Sequence, residues 1–291
     1  MIGQPGEFDS TRRAQRLLAV DGLRGILAFT VLVHHATAPI GAYWLFPVAN
    51  VCVFIFFALS GYVLTRGWNG RFGTFLLRRF VRLWPVYAAC LGAGYLIAGK
   101  QPIWSEFFWY PIHYPSDPAN LHGVDPPSWS LTVEAWAMLF MPLIVWIVSG
   151  TFRKLVIGFA VFALAVQAYP AMSVGIFFLG GAALHRWEFQ NRILEASVPQ
   201  WLGKISYSLY LSHWLVLTLL WRWFGPWTAA LIGLPSALAL GYFVWRWIEK
   251  PSISASRRVD GFPRFQWILG WHRPARITPL PSSDNRDVAP R

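Results

Sequence analysis

Two charged residues and two histidines inside one apolar run raise the first chemical question. Asp21 and Arg24 lie near the start of the run 17–37, and His34 and His35 lie near its end. A charge inside an apolar span is costly and is a functional candidate by default. The step from Arg24 to His35 corresponds to about 16 Å of helical rise. At about 100° per residue, it returns to within about 20° of the starting direction. Arg24 and His35 therefore share a face, and His34 points about 80° away from it. Histidine titrates near neutrality and suits removal of a proton from a hydroxyl. Glu134, one turn into another apolar run, is a carboxylate that needs a partner. His213 sits midway along a third run, where packing and catalysis are both open. Glu249 ends the last run beside Lys250 and Pro251, as a site residue or an interfacial charge. Arg78, Arg79 and Arg82 introduce a further run, where setting topology and binding a phosphorylated cofactor are both open.

These residues need a scaffold that tolerates charges among apolar helices. Hydrophobic residues make up 55% of the 291-residue chain and charged residues only 13%. An ordinary soluble domain has about 25% charged residues. That deficit, with 18 Trp and 22 Phe, points to a bilayer, where Trp collects at the interfaces. Near-spanning apolar runs occur at 17–37, 47–65, 82–98, 129–149, 155–170, 172–186, 205–224 and 226–248. A spanning helix takes about 20 residues, and period-2 alternation is missing, so a barrel is disfavoured. The expected fold class is all-α, a polytopic bundle of about eight transmembrane helices. Pro170 joins the two short runs, as two tilted helices or one broken hairpin.

The formal net charge is +12, which in a soluble protein would suggest nucleic acid. Here the basic residues fall between apolar runs and in the tails, so nucleic acid is not expected as a partner and the lipid bilayer is. With eight spans and a cytoplasmic N-terminus, 23 of the 25 Lys and Arg lie on the inner side, all but Lys100 and Arg222. That is a strong positive-inside pattern, with both termini cytoplasmic. Arg12-Arg13 and the later Ala36-Thr37-Ala38 resemble a cleavable leader, but Asp21 and Arg24 interrupt the run, so cleavage is not expected. Expected segments are a cytoplasmic 1–16, a membrane domain 17–251 and a basic, disordered tail 252–291, whose Trp267–Trp271 patch suits the inner leaflet. Cys52 and Cys90 lie in apolar runs and read as packed thiols. No metal site is expected.

Six short blocks then carry a resemblance. Asp21-Gly22-Leu23-Arg24-Gly25 with His35, Phe56-Phe57-Ala58-Leu59-Ser60-Gly61-Tyr62, and Arg78-Arg79-Phe80-Val81-Arg82-Leu83-Trp84-Pro85 come first. Pro127-Ser128-Trp129-Ser130-Leu131-Thr132-Val133-Glu134, Gly203 through His213, and Ile248-Glu249-Lys250-Pro251 follow. In this order they resemble the acyltransferase 3 family of integral-membrane O-acyltransferases, over most of residues 19–251. Family members typically have ten spans. The stretch between Glu134 and Phe177 is shorter here by about two helices.

The resemblance implies transfer of an acyl group, usually acetyl from cytoplasmic acetyl-CoA, to a hydroxyl of a glycan or glycosylated acceptor at the inner (plasma) membrane. Acetyl-CoA would be a donor substrate, and no permanently bound cofactor is expected. On this reading His35 is the general base, Glu134 orients it, and Arg24 holds the donor. Arg78, Arg79 and Arg82 bind donor phosphates. Asp21, Ser60, Trp129, Ser130, His213 and Glu249 complete the candidate set. Trp104, Trp109, Tyr110 and Tyr114 suit stacking on sugar rings or interfacial anchoring. A transporter or flippase is the alternative, since intramembrane charges also mark transport paths, and a non-catalytic scaffold is a third. Cysteine-accessibility labelling should place Ile40, Pro115 and Gly225 outside, and Phe72, Glu195 and Gly270 inside. An outside C-terminus would sink the eight-span arrangement.

Overall fold

The computed structural model describes residues 5–108, 124–150, 154, 156–160, 175–187 and 189–259. All of them belong to the unit Met1–Gly261. The helices are α1 (Pro5–Thr37), α2 (Phe46–Arg66), α3 (Phe72–Ala98), α4 (Trp129–Leu139) and α5 (Met141–Val148). They continue with α6 (Gly175–Ala183), α7 (Ser197–Trp223), α8 (Pro226–Val244), a π-helical turn (Trp245–Glu249) and α9 (Lys250–Arg258). Among the described residues there is no strand, as the lack of period-2 alternation anticipates.

Four segments are long and apolar enough to cross a bilayer: Leu18–Ile40, Phe46–Arg66, Phe72–Ala98 and Pro226–Arg258. A fifth is possible if the pair Pro126–Leu139 and Met141–Val148 acts as one span, although it is bent by 68°. The bend breaks the continuous helix expected over 129–149. Pro142 explains it, because a proline lacks the N–H for the helical bond and its ring crowds the preceding turn. Of the run 155–170 only residues 156–160 are described, and Pro170 lies outside the described residues; the run 172–186 is described from residue 175 onward and holds α6. The run 205–224 does form a helix, α7, but it is too polar to count as a span by composition. Its polar residues face the bundle: Ser206, Ser208, Ser212 and His213 are all buried.

The tail expected from 252 begins as helix instead. Pro251 falls in the first turn of α9, where a missing N–H costs nothing. The Ser252 and Ser254 hydroxyls donate back to the carbonyls of Ile248 and Lys250. Residues from 260 onward, including the Trp267–Trp271 patch, lie outside the described residues.

α7 packs most extensively on α1 and α8, and α2 packs on α6. The α1–α7 contact is made by glycines. A Cβ on Gly25 would collide with the Gly203 backbone, and one on Gly203 would collide with the Asp21 carbonyl. Further along, His35 meets His213. Both pairs are offset by the same 178 positions, so α1 and α7 run parallel and in register. At α2–α6 the backbones also touch, Gly61 against the Phe178 carbonyl and Gly181 against the Ala58 carbonyl. Arg66 and Tyr62 lock the end of α2, donating to the carbonyls of His185 and Trp187. Cys52 and Cys90 are buried and free.

Neighbouring glycines on α6 provide a controlled test. A side chain at Gly181 meets backbone, whereas one at Gly180 meets nothing within 4 Å. Gly181→Val should lower the thermal unfolding midpoint in detergent, with overpacking costing at least about 1–3 kcal/mol. Gly180→Val should leave the midpoint close to wild type. Equal midpoints would show that α2 and α6 do not approach this closely.

Candidate active site

Four of the six sequence blocks line one small pocket. α1 contributes Arg24; α2 contributes Val53, Phe56, Phe57 and Ser60; α4 contributes Ser130, Leu131 and Glu134; α7 contributes Ser206, Tyr207 and Tyr210. Helical spacing explains the α7 set, because positions three and four apart share a face. Hydrogen bonds fix these walls to one another. The Ser130 hydroxyl bonds the Tyr210 hydroxyl at 3.0 Å, and the Tyr207 hydroxyl donates to the Leu83 carbonyl of α3 at 2.7 Å. Trp129 packs against Phe57, with ring centroids 5.9 Å apart, and so supports the wall from behind.

The two remaining blocks supply charges around the cavity. Arg79 and Arg82 of α3 lie within electrostatic reach of Glu134 and Arg24. Arg82 is also within reach of Glu249 and Asp21. Arg78 precedes them and is half-buried. Glu249, 3% exposed in the π-helical turn, accepts a 2.6 Å hydrogen bond from the Ser208 hydroxyl. Asp21 is exposed at the edge of this layer. The buried Arg82 Nε–H has no acceptor among the described residues. An anionic oxygen of a ligand would satisfy it.

The histidines form a separate zone. His35 Nδ1 lies 2.9 Å from His213 Nε2. The partner of His35 is therefore His213, where the sequence had suggested Glu134. Glu134 shares the cavity of Arg24 instead, because α4 directs it towards the arginines of α3. The two zones meet at Tyr210, which lines the cavity and whose ring lies 6.1 Å from that of His213. His34 does point away. It is buried against Phe46, with centroids 5.8 Å apart, as the helical angles anticipate. Trp104 is exposed in the short helical turn Trp104–Phe108; Trp109, Tyr110 and Tyr114 lie outside the described residues.

Tyr207, Tyr210 and Asp125 were not singled out from the sequence as site residues. The tyrosines fall on the same α7 face as His213, which was a usable signal. Asp125 is only 2% exposed, and neither carboxylate oxygen has a hydrogen-bond partner among the described residues. It lies just before the helical turn at Pro126–Ser128. Burial pushes its carboxyl up to about 8.

An acyltransferase-domain family profile matches residues 17–171, the part of the chain that carries α1 to α5. A curated protein of Rhizobium radiobacter, "Protein 2 in picA locus", is 30% identical over 138 residues. The aligned region covers 44% of this chain and 65% of that protein, so the chain spans just under two thirds of the relative's length. No solved structure matches.

Asp125 gives the site a pH signature. Its folded value lies above the ordinary 3.8, so the unfolded chain ionises first as pH rises. Stability should therefore fall with rising pH between about 4 and about 8, by at most about 1.4 kcal/mol per unit, and level off above that window. Asp125→Asn should flatten this slope in thermal melts. A wild-type slope that persists in the variant would assign the effect to another group.

Proposed function

The chain belongs to the acyltransferase 3 family, and from that premise we propose that it transfers an acetyl group from acetyl-CoA to a hydroxyl of a glycan or glycosylated acceptor at the plasma membrane. The observation that carries this reading is convergence. Blocks scattered from Asp21 to Glu249 gather around one cavity and its charged margin.

The chemistry divides between the two zones. A CoA donor carries several phosphates, and Arg82 and Arg79, with Arg78 and Arg24, offer guanidinium forks for them. Glu134, Glu249 and Asp21 lie within electrostatic reach of these guanidinium groups. Ser60, Ser130 and Tyr210 offer hydroxyls for the acceptor or for the thioester carbonyl. His35 acts as general base. It takes the acceptor hydroxyl proton as the oxygen attacks the acyl carbon, and returns it to the departing thiolate. Eight spans with both termini cytoplasmic would put the arginines on the side of the donor pool.

The test uses membranes containing the full chain and acetyl-labelled CoA. Label should pass to a membrane glycan or glycolipid; movement of substrate without transfer would favour a transporter or flippase, and neither would favour a scaffold. His35→Ala should lower transfer by about 10²–10⁴-fold at unchanged abundance, and His34→Ala should retain most of it. Full activity in His35→Ala would remove the histidine-base mechanism.

A further inference from the structure

His213 is 1% exposed, and its hydrogen bonds determine which nitrogen of His35 can act. His213 Nδ1 lies 3.1 Å from the Leu209 carbonyl one turn back on α7. A carbonyl can only accept, so Nδ1 carries the hydrogen. In the neutral ring, Nε2 is then an acceptor. His35 Nδ1, 2.9 Å away, must therefore donate. The two rings are tilted by only 7°, with centroids 5.1 Å apart. That spacing is too wide for face stacking at van der Waals contact. It fits two coplanar imidazoles joined edge to edge, with the hydrogen in the plane of the accepting lone pair.

We propose that His213 is a positioning residue that holds His35 in the Nδ1–H tautomer, so that the lone pair available to take a proton is on His35 Nε2. Among the described residues, no protein group hydrogen-bonds His35 Nε2. When Nε2 takes the acceptor proton, His35 becomes an imidazolium that still donates from Nδ1 to His213. His213 keeps its own proton on Leu209 throughout, so one proton moves and the relay is not itself consumed. Backbone geometry on α7 thus reaches across the parallel contact and sets the protonation pattern on α1. The Trp214 ring, edge-on to His35 with centroids 5.4 Å apart, closes one side.

This inference rests on the reading of His35 as the base, and its test separates the two. The first measurement is nitrogen-15 NMR of histidine-labelled full-length protein in lipid nanodiscs, with His35 assigned from its loss in His35→Gln. Wild type should show a protonated Nδ1 and an unprotonated Nε2 on His35. His213→Leu should shift His35 towards the other tautomer. The second measurement is steady-state acetyl transfer from labelled acetyl-CoA to membrane acceptors. His213→Leu should lower kcat by about 10²-fold or more, with the KM for acetyl-CoA within about threefold of wild type. His213→Gln, which keeps an acceptor near the Nε2 position, should restore most of kcat, a rescue that a packing role would not require. A wild-type His35 protonated at Nε2 overturns the proposal, whether or not the variants fold. Wild-type kcat in His213→Leu with an inactive His35→Ala also overturns it. Transfer that survives in His35→Ala overturns the base reading instead.

Discussion

The parallel contact of α1 with α7 is the constraint on which the site depends. Gly25 and Gly203 let the two backbones touch, and that contact fixes both the spacing and the register of the helices. Ten residues further along each chain, the same register delivers His35 to His213. A larger side chain at either glycine would push the helices apart and lengthen a hydrogen bond about 15 Å away. α7 is also the hub for the rest. From one helix it reaches the Leu83 carbonyl of α3, Ser130 of α4 and Glu249 of the π-helical turn. A helix face so rich in hydroxyls and imidazole is unsuited to lipid, and its burial lets Ser206, Tyr207, Ser208, Tyr210 and His213 hydrogen-bond within the protein.

The charged margin follows a second rule. Arg24, Arg79 and Arg82 stand within reach of Asp21, Glu134 and Glu249. Opposite charges within reach of one another are the condition under which charges survive within a bundle. Removing one carboxylate would leave a guanidinium uncompensated, and that is more destabilising than the pair was stabilising. An incoming anion would face the same arithmetic. It gains most at Arg82, where a buried Nε–H is still unsatisfied, and it would loosen the hold of the carboxylates as it binds.

Much of this was legible in the sequence, for identifiable reasons. Helical phase alone separated His35 from His34, and the structure keeps them apart on that basis, one against His213 and one against Phe46. Span composition marked α1, α2, α3 and α8. What failed was partner choice. Glu134 lies on a helix that breaks at Phe140, so a continuous-helix reading of 129–149 could not give its neighbours. His213 looked ambiguous because its role comes from a residue 178 positions away, and no local pattern encodes a helix register that distant. The run 205–224 was legible as well and forms α7, although its polar residues keep its mean hydropathy below that of the four apolar spans, since hydropathy treats a polar residue the same whether it faces lipid or a neighbouring helix.

The separation of the two zones bears on which donor suits the site. Arg24 and His35 share one helix face, about 16 Å apart along its axis. A compact acyl donor would have to choose between the guanidinium layer and the base. A long donor, with phosphates at one end and the thioester at the other, can occupy both at once. The cavity wall beside Arg24 is aromatic and hydroxylated, with Phe56, Tyr207, Tyr210 and Ser130 in its lining. Such a wall offers an extended chain apolar contact and a few oriented hydrogen bonds, without adding charge near the base. The histidine pair then works beside neutral neighbours at Trp214 and Tyr210. The charged groups of the site cluster around Arg24, Arg79 and Arg82, and the histidine pair lies apart from them.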